Sequence, residues 1–544
     1  MRRFGWLLAL AACGGGDDTG ADGVPDTTDT DTPGTGETTP TPNEPFRLRS
    51  ASIHPPESDK VYLVQQLDVE TNHPSTLTAR ITDGNGVVRT ITWTAASDSH
   101  AVPILGLHAL ETYSVEVSVE SAEGEVLTAE PIVFQNGPLP EVFPTLDLYY
   151  RDPARVEPGY VLAAPWSSGL GRVITVLDDE GVPVWAFVPA GDWKSPNLTA
   201  RGVAGLQGET VPEISWLGET VHRFAVDPEG DDIPLDFDGL HHEALPLPDG
   251  GIYLLSSEPL DISDYPLDYS FTLFGDVTIA NHIAHRVTAD GTTIETWSMA
   301  DRIDPRRIGF DSAELIGGTE TYDWGHANAI VVDESDDSVL VSMRNQDAII
   351  KFSRATGDIR WIFGQHGGWS PAFQPYLLTP TGDDFQWQGH QHAPALLPGG
   401  KMILFDNGNH GRANPYSDEN LGATYSRVVQ YTIDETNWTA HLDWEWSRTL
   451  TGALNSAALG NADPLPQGNV FATFSYLYSE DDVSNEALGR GTVSTRLIQF
   501  SPVDQATVFD LAVYGPADTS GWLVDRALWL PTLYGDSATV TVSD

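Results

Sequence analysis

A repeated strand–turn–strand unit constrains the fold of this chain more than any other feature. Six segments combine a strand, a turn that often contains Asp-Gly, and a second strand that often carries an aromatic residue; they begin at Val173, Val221, Ile283, Ala348, Val428 and Leu497. Several follow a second hairpin built on Leu-Pro-x-Gly, as in ALLPGGKMILFD. Two hairpins make a four-stranded blade, so the pattern predicts a six-bladed β-propeller. The irregular spacing leaves five or seven blades open.

The chain before the propeller follows a different pattern. From Phe46 to Asn136, short alternating strands are separated by turns such as DGNG and EG. This is typical of a small β-sandwich of immunoglobulin or fibronectin type. Three prolines, Pro138, Pro140 and Pro144, then mark a boundary. The predicted organisation is therefore all-β, with a sandwich over residues 45–140 and a propeller over residues 141–544.

The first residues predict export and a lipid anchor. They read MRRFGWLLALAAC, in which two arginines precede an apolar run too short to span a bilayer. The run LAAC resembles a bacterial lipobox, which implies cleavage after residue 12 and lipidation of Cys13. An ordinary signal peptide with an incidental cysteine is the alternative. Because Gly14 rather than Asp follows Cys13, we expect outer-membrane anchoring of an exported protein, in the periplasm or at the cell surface.

Composition limits the partners of this chain. Residues 13–44 are Gly, Asp, Thr and Pro with almost nothing apolar, so we expect a disordered tether. The formal net charge of −50 argues against nucleic acid, whose phosphates require Lys and Arg. It also opposes long-range attraction of anions, so an anion site must act at short range. The single cysteine forms no intrachain disulfide, and packing must hold the fold.

Three histidines stand just before inner-strand patterns of different units. His242 precedes EALPLPDGGIYLL, His326 precedes ANAIVVDESDDSVLV, and His392 precedes APALLPGGKMILF. Because inner strands ring the channel of a propeller, we expect all three to face one axial cavity. Arg344 ends the inner hairpin that follows His326. Histidines beside an arginine suit chemistry on a bound anion. His390 is the alternative to His392 in the run GHQH.

Other interpretations of these residues stay open. Histidines at such positions can be structural hydrogen-bonding groups. Three histidines also suit zinc, but Arg344 would repel the cation and no acidic ligand is clearly paired with the set. There is no GxSxG elbow, Walker loop or dinucleotide fingerprint, and we expect neither metal nor cofactor. The remaining histidines are expected to be structural or peripheral, among them His241, His282, His285, His366 and His410.

Two long strings carry a resemblance to a known family. HANAIVVDESDDSVLVSMRNQDAIIKFSRATGDIRWIFG, from His326, and QHAPALLPGGKMILFDNG, from Gln391, resemble the bacterial arylsulfate sulfotransferases in their ordered landmarks. HHEALPLPDG matches the HHD…LPNG run of that family, with Glu243 in place of the usual Asp. The resemblance covers roughly residues 145 to 515. The cysteine pair of the well-known enterobacterial members has no counterpart here.

The resemblance implies a function as well as a fold. It implies a six-bladed propeller with an N-terminal β-sandwich. It also implies transfer of a sulfuryl group from an aryl sulfate donor to a phenolic acceptor, by a ping-pong route through a sulfohistidine. Carried over by position, His392 matches the nucleophile, while His242, His326, Asn328 and Arg344 match the groups that hold the sulfate and assist the phenols. No metal or nucleotide is required, and a homodimer is left open.

Elementary chemistry suits those roles. A neutral imidazole can attack sulfur and leave again, which divides one difficult displacement into two easier ones. Arg344 can hold two sulfate oxygens as a planar fork, and Asn328 can donate an amide hydrogen bond. His326 or His242 can protonate the leaving phenolate and deprotonate the entering phenol. Two other functions compete: a surface-anchored propeller that binds without turnover, and a hydrolase that uses water as acceptor.

Overall fold

The computed structural model describes residues 44–417, 424–447, 453–480 and 483–543. The predicted signal peptide, the lipidation of Cys13 and almost all of the tether lie outside these residues and stay predictions. Nearly all regular structure in the described part is strand, which confirms the all-β class. Its three helices are single 3-10 turns, Arg344–Gln346, Gln374–Tyr376 and Asn409–Arg412. No helix in that part is long and apolar enough to cross a membrane.

Six antiparallel sheets form the blades of a propeller. Each inner strand contacts the inner strands of the two neighbouring blades, which closes the ring. From the inside outward, blade 1 is Ala527–Leu530, Tyr160–Ala163, Ile174–Asp178 and Pro183–Phe187; blade 2 is Lys194–Leu198, Gly202–Leu206, Thr210–Ser215 and Thr220–Ala225; blade 3 is Leu240–Pro246, Ile252–Pro266, Phe274–Val287 and Thr293–Ser298. Blade 4 is Ala327–Asp333, Ser338–Met343, Ala348–Ser353 and Ile359–Gly364; blade 5 is His392–Leu397, Lys401–Asp406, Arg427–Asp434 and Thr439–Trp446; blade 6 is Asn461–Pro464, Val470–Leu477, Ser494–Phe500 and Thr507–Tyr514. The predicted count of six is confirmed.

Strands from both ends of the propeller region close the ring. Ala527–Leu530 supplies the inner strand of blade 1, where it pairs with Tyr160–Ala163. Thr145–Arg151 adds a fifth, outer strand to blade 6. Blades 1 and 6 therefore cannot separate without breaking two hydrogen-bonded ladders. Further short strands extend blades 1, 2, 3 and 5 or pair in loops: Val61–Tyr62, Ile233–Pro234, Thr321–Tyr322, Thr379–Thr381, Trp166–Ser167 with Gly171–Arg172, and Ser479–Glu480 with Val483–Ser484.

Five of the six sequence repeats form the outer antiparallel hairpin of a blade. The exception is the repeat at Val221, whose first half is the outer strand of blade 2. Its second half, Ile233–Pro234, pairs parallel to that strand, because the longer run DPEGDD carries the chain back across the sheet edge. Strands such as Ser338–Met343 are buried along their whole length, since both faces of a blade pack against neighbouring blades.

The N-terminal region forms one seven-stranded sheet. Its strands are Leu48–His54, Gln65–Thr82, Val88–Ile104, Thr112–Ser121, Val126–Thr128, Ile132–Gln135 and, from the other end of the chain, Thr539–Ser543. Its apolar side shares a core with blade 1, in which Leu67, Trp93 and Trp185 are buried together. Residues 46–544 accordingly form one compact unit. The immunoglobulin-type sandwich and the boundary at residue 140 stay predictions.

Candidate active site

A cavity of about 430 Å³ opens at the propeller axis. The structure brings His242, His326, Asn328 and His392 together on its wall. Arg344 is absent from the lining and stands beside the cavity. All six blades contribute, because two sets of loops meet on this face: those that lead into the inner strands and those that leave the second strands. The other lining residues include Trp166, Lys194, Ser195, Leu459, Tyr476, Asp525 and Arg526.

The same local backbone feature aims the three histidines at the cavity. The pairing between the first and second strands shifts register at or beside His242, Ala327 and His392. His242 and His326 have φ of 53° and 47°, and Ala393, next to His392, has φ of 45°. Left-handed φ in a non-glycine residue costs on the order of 1–3 kcal/mol and is concentrated at functional sites. A bulge of this kind turns a side chain out of the regular strand pattern.

His392 is held with one nitrogen free for chemistry. Its Nδ1 lies 2.7 Å from Oδ1 of Asn407 and 3.2 Å from the carbonyl oxygen of His390. Asn407 itself donates from Nδ2 to the carbonyls of Ser456 (2.9 Å) and Leu459 (3.0 Å), which fixes its oxygen toward the ring. Two acceptors at Nδ1 place the proton there and leave the Nε2 lone pair free. Burial, with Arg344 nearby, lowers the pKa of His392 to about 3.

His326 is paired with a carboxylate instead. Its Nδ1 donates to Oδ2 of Asp323, three residues earlier, so Nε2 again carries the free lone pair. Asp323 also lies 3.6 Å from Nε2 of His282. Although burial opposes it, the neighbouring imidazoles of His282 and His326 hold the pKa of Asp323 well below its usual range. The Nδ1 partner of His326 is thus an anionic carboxylate, whereas that of His392 is a neutral amide.

His242 ends a chain of histidines whose proton positions follow from a backbone amide. The N–H of His326 donates to Nε2 of His282 (2.8 Å). His282 therefore carries its proton on Nδ1 and donates it to Nε2 of His241 (3.1 Å). His241 in turn donates from Nδ1 to Nδ1 of His242 (3.0 Å). Burial lowers the pKa of all three rings, so they are neutral. His242 is left with its proton on Nε2.

The structure therefore gives four residues a larger part than sequence reasoning did. His241 and His282 are expected from the sequence to be structural or peripheral, and Asn407 and Asp323 are not assigned a role there. Asp323 could have been found from its spacing of three residues before His326. Asn407 stands in the run LFDNG, which was read only as a family landmark.

Asn328 and Arg344 are each partly engaged by neighbouring residues, and their roles toward sulfate stay predictions. Nδ2 of Asn328 donates to the carbonyl of Gln391 (2.8 Å), next to His392, while no described residue donates to its Oδ1. Arg344 begins the turn after the second strand of blade 4 and donates from Nη1 to Oδ1 of Asn345 (2.7 Å). Its buried Nε has no partner among the described residues. Its charge is close enough to help lower the pKa of His390 and His392.

The opposite wall of the cavity combines paired charges with apolar surface. Arg526 donates to both carboxylate oxygens of Glu243, at 3.1 and 2.9 Å, and the indole N–H of Trp166 donates to Asp525 (2.8 Å). Glu243, which replaces the aspartate of the family run, is thus bound to Arg526 and does not reach the histidines. The apolar surface beside these pairs could accept an aromatic ring; it is formed by Trp166, Leu206, Leu240, Leu459 and Tyr476.

A sequence model described as Arylsulfotransferase (ASST) matches residues 159–522. This range includes all six blades except the outer strand Thr145–Arg151 of blade 6 and the inner strand Ala527–Leu530 of blade 1. The chain belongs to the arylsulfotransferase family. The residues that line the cavity up to blade 6 therefore fall within the family region, whereas Asp525 and Arg526 lie just beyond the match. The N-terminal sheet of this arylsulfotransferase family member also lies outside it.

Two curated relatives, both called arylsulfate sulfotransferase AssT, are similar to parts of this chain. The protein of Escherichia coli O6:H1 (strain CFT073) is 24% identical over 295 residues, which is 46% of each chain. That of Lelliottia amnigena is 28% identical over 151 residues, 25% of each. The chain thus spans less than half the length of the relatives that it matches. Among solved structures, the β-propeller domain of Myceliophteria thermophila Cps50 (Swd1) aligns with 68% of this chain and 98% of its own at 11% identity and a TM-score of 0.30. That score is low, and the blade count rests on strand pairing.

Proposed function

We propose that this protein transfers a sulfuryl group from an aryl sulfate to a phenolic acceptor through a sulfohistidine on Nε2 of His392. The observation that carries the proposal is the state of that ring. Asn407 holds the Nδ1 proton, burial keeps the ring neutral, and the ring lines the axial cavity. A neutral, oriented imidazole nitrogen is a competent nucleophile. Family membership supports the same reaction class.

The first half-reaction forms the N–S bond and breaks the bond between sulfur and the aryl oxygen. The departing phenolate takes the Nε2 proton of His326, whose Nδ1–H stays hydrogen-bonded to the carboxylate of Asp323. In the second half-reaction, neutral His326 removes the proton of the incoming phenol. The phenol oxygen then attacks sulfur, and the N–S bond breaks. The cycle returns His392 neutral and His326 protonated, so atoms and protons balance.

His242 is better suited to hold the sulfuryl oxygens than to move protons. Its Nε2–H is fixed by His241 and His282, and the chain of rings ends at the backbone N–H of His326. Burial keeps His242 neutral, so giving up its Nε2 proton would leave a buried imidazolate, which is strongly unfavourable. This favours His326 over His242 as the general acid and base. Oriented donors of this kind stabilise charge that develops on peripheral oxygens.

Arg344 adds a positive charge next to His392 without occupying the cavity wall. Its unpartnered Nε and the remaining guanidinium protons can meet a sulfuryl oxygen that approaches His392. Asn328 has one amide proton engaged by Gln391, so it supports the position of the strand that carries His392 and has one proton left for the ligand. The apolar wall around Tyr476 and Leu459 would receive the aryl ring.

Steady-state turnover tests the proposal. With 4-nitrophenyl sulfate as donor, nitrophenol release should depend on added phenol and yield phenyl sulfate. Varying both substrates should give the parallel double-reciprocal lines of a ping-pong reaction. Equal release with and without phenol, with inorganic sulfate as product, would instead identify a hydrolase. No release with any aryl sulfate, despite measurable binding, would identify a binding propeller.

A further inference from the structure

A second cluster of ionisable side chains lies beside the cavity and has no part in the proposed reaction. It consists of Asp311, His390 and His410, whose nitrogen and oxygen atoms can all lie within 4.8 Å of one another. Nε2 of His410 lies 3.2 Å from Oδ1 of Asp311. Nδ1 of His390 lies 3.6 Å from Oδ2 of the same carboxylate. Two imidazoles and a carboxylate are therefore aimed at one small volume.

The buried ring of His390 points to a ligand site in this volume. The side chain is fully buried, and neither ring nitrogen has a hydrogen-bond partner within the described part of the chain. Leaving a buried polar group unsatisfied costs about 1–3 kcal/mol. Such groups in native proteins normally meet a partner, an ordered water or an ion. The fold thus places an imidazole where protein alone does not complete its contacts.

The spacing of the three side chains suits a transition metal. Bonds of about 2.0–2.1 Å at tetrahedral angles place ligand atoms about 3.3 Å apart. The distances from His410 to Oδ1 of Asp311 (3.2 Å) and from His390 to its Oδ2 (3.6 Å) are close to that value. One ligand atom from each residue lies within 4.8 Å of the other two, a span that small side-chain rotations can shorten. We propose that Asp311, His390 and His410 bind one divalent transition-metal ion of the zinc class and leave a fourth position for water. Two imidazole ligands favour Zn²⁺, Co²⁺ or Ni²⁺ over Ca²⁺ and Mg²⁺, which prefer oxygen.

Arg344 is the charge that opposes the site. Its Nη1 is 3.8 Å from Oδ2 of Asp311, beyond hydrogen-bond distance, and donates to Asn345 instead. The other nearby guanidinium, that of Arg412, is paired with Asp406 at 2.6 Å. The short contact of Asp311 is therefore with His410, a member of the same cluster, rather than with either of these two arginines. The remaining repulsion selects further against cations held by charge alone and favours those held by nitrogen ligands.

An ion at this cluster would tie together three loops around the proposed nucleophile. Asp311 belongs to the loop that leads into blade 4. His390 precedes His392 by two residues, and His410 lies in the 3-10 turn that follows the second strand of blade 5. Binding would therefore fix the start of the strand that carries His392. This site is independent of the sulfuryl-transfer proposal, because it uses none of the residues that line the cavity.

Cobalt absorption tests the site without any assay of transfer. The full chain is treated with a chelator, dialysed and titrated with Co²⁺ at moderate salt with excess Mg²⁺ present. We expect one Co²⁺ per chain with the intense visible absorption of a four-coordinate ion, displaced by Zn²⁺. His410→Gln and Asp311→Asn should weaken binding at least about tenfold. His54→Gln, which removes an imidazole paired with Asp68 at 2.6 Å on the N-terminal sheet, should leave it unchanged.

Melting temperatures without metal check that the variants fold, and His410, being only half-buried, offers the safer substitution. The proposal would be overturned if Co²⁺ gave no more than the weak absorption of a six-coordinate ion. It would also be overturned if both folded variants bound Co²⁺ as the native protein does. Either result would mean adventitious association with the acidic surface.

Discussion

The starts of blades 5 and 4 place histidines in equivalent positions but surround them differently. His392 donates its Nδ1 proton to the neutral amide of Asn407, whereas His326 donates to the carboxylate of Asp323. Nδ1 is the bonded nitrogen in both rings, but one partner is a neutral amide and the other is an anionic carboxylate. Under the proposed function, a repeated fold position therefore supplies a nucleophile in one blade and an acid–base group in the next. The partner of Nδ1, rather than the backbone, distinguishes them.

Blade 3 extends the comparison to a third state of the same position. There the partner of His242 is another histidine, His241, and the proton is forced onto Nε2. Under the proposed function the cavity thus receives a lone pair from His392, an N–H from His242, and from His326 a nitrogen that gives up a proton in the first half-reaction and takes one back in the second. A reaction that transfers an anionic group between two oxygens needs a nucleophile, a proton carrier and a donor for peripheral oxygens, which is the set that these partners provide.

The largest effect should come from removing the nucleophile. His392→Ala should lower kcat for transfer from 4-nitrophenyl sulfate to phenol by a factor on the order of 10⁴–10⁶, as for nucleophiles in other covalent enzymes. His285→Gln is the matched control, since it removes another buried histidine, bonded to Ser256 at 2.7 Å, outside the cavity. If His392→Ala keeps more than a tenth of the rate while the same change at His326 abolishes it, the two roles are reversed.

Removing the charge beside His326 should have the next largest effect. Asp323→Asn should slow the first half-reaction by about 10²–10³, within the range of general acid catalysis. The loss should grow with the pKa of the leaving phenol, because a poorer leaving group needs protonation more. Single-turnover rates with 4-nitrophenyl sulfate and phenyl sulfate measure this. An equal loss with both donors would show that Asp323 merely supports the structure.

Exchanging the amide beside His392 for a carboxylate should make blade 5 resemble blade 4. The pKa of His392 is lowered to about 3 by burial and Arg344, so in the native protein the nucleophile stays unprotonated down to about pH 3. Asn407→Asp should raise that pKa. As the pH is lowered, the single-turnover rate of this variant should therefore begin to fall at a higher pH than that of the native protein. Asn407→Leu should cost about 10–100-fold without such a shift. Identical pH profiles for both variants would contradict this role.

The smallest expected effect concerns the histidine chain of blade 3. His241→Phe removes the donor that fixes His242 and should lower kcat by about fivefold, while KM changes little. This loss is smaller than that caused by removing a group that itself donates to an oxyanion. Nitrogen NMR of labelled native protein should show the Nδ1–H form of His241 and His282 and the Nε2–H form of His242. An Nδ1–H form of His242 in the native protein would refute the assigned order of donors.

Sequence reasoning reached the blades and the three histidines because both depend on local patterns. Outer hairpins such as that from Ala348 have their turn and strands within one short segment. The closing strand Ala527–Leu530 was missed, since four apolar residues carry no turn and find their partner only at the far end of the chain. The same holds for the partners of the histidines: His241 meets His282 across 41 residues. Equivalent positions are visible in sequence, whereas their chemical differences arise from contacts between separate segments.

Rapid mixing with an aryl sulfate in the absence of acceptor tests the central claim most directly. The protein is exposed briefly to excess 4-nitrophenyl sulfate, quenched in alkali and digested for mass spectrometry. We predict one equivalent of nitrophenol per chain in a burst, and a single added sulfuryl group on the peptide that contains His392, removed by subsequent phenol. A burst with the group on His326, or steady release without any labelled peptide, would contradict the account.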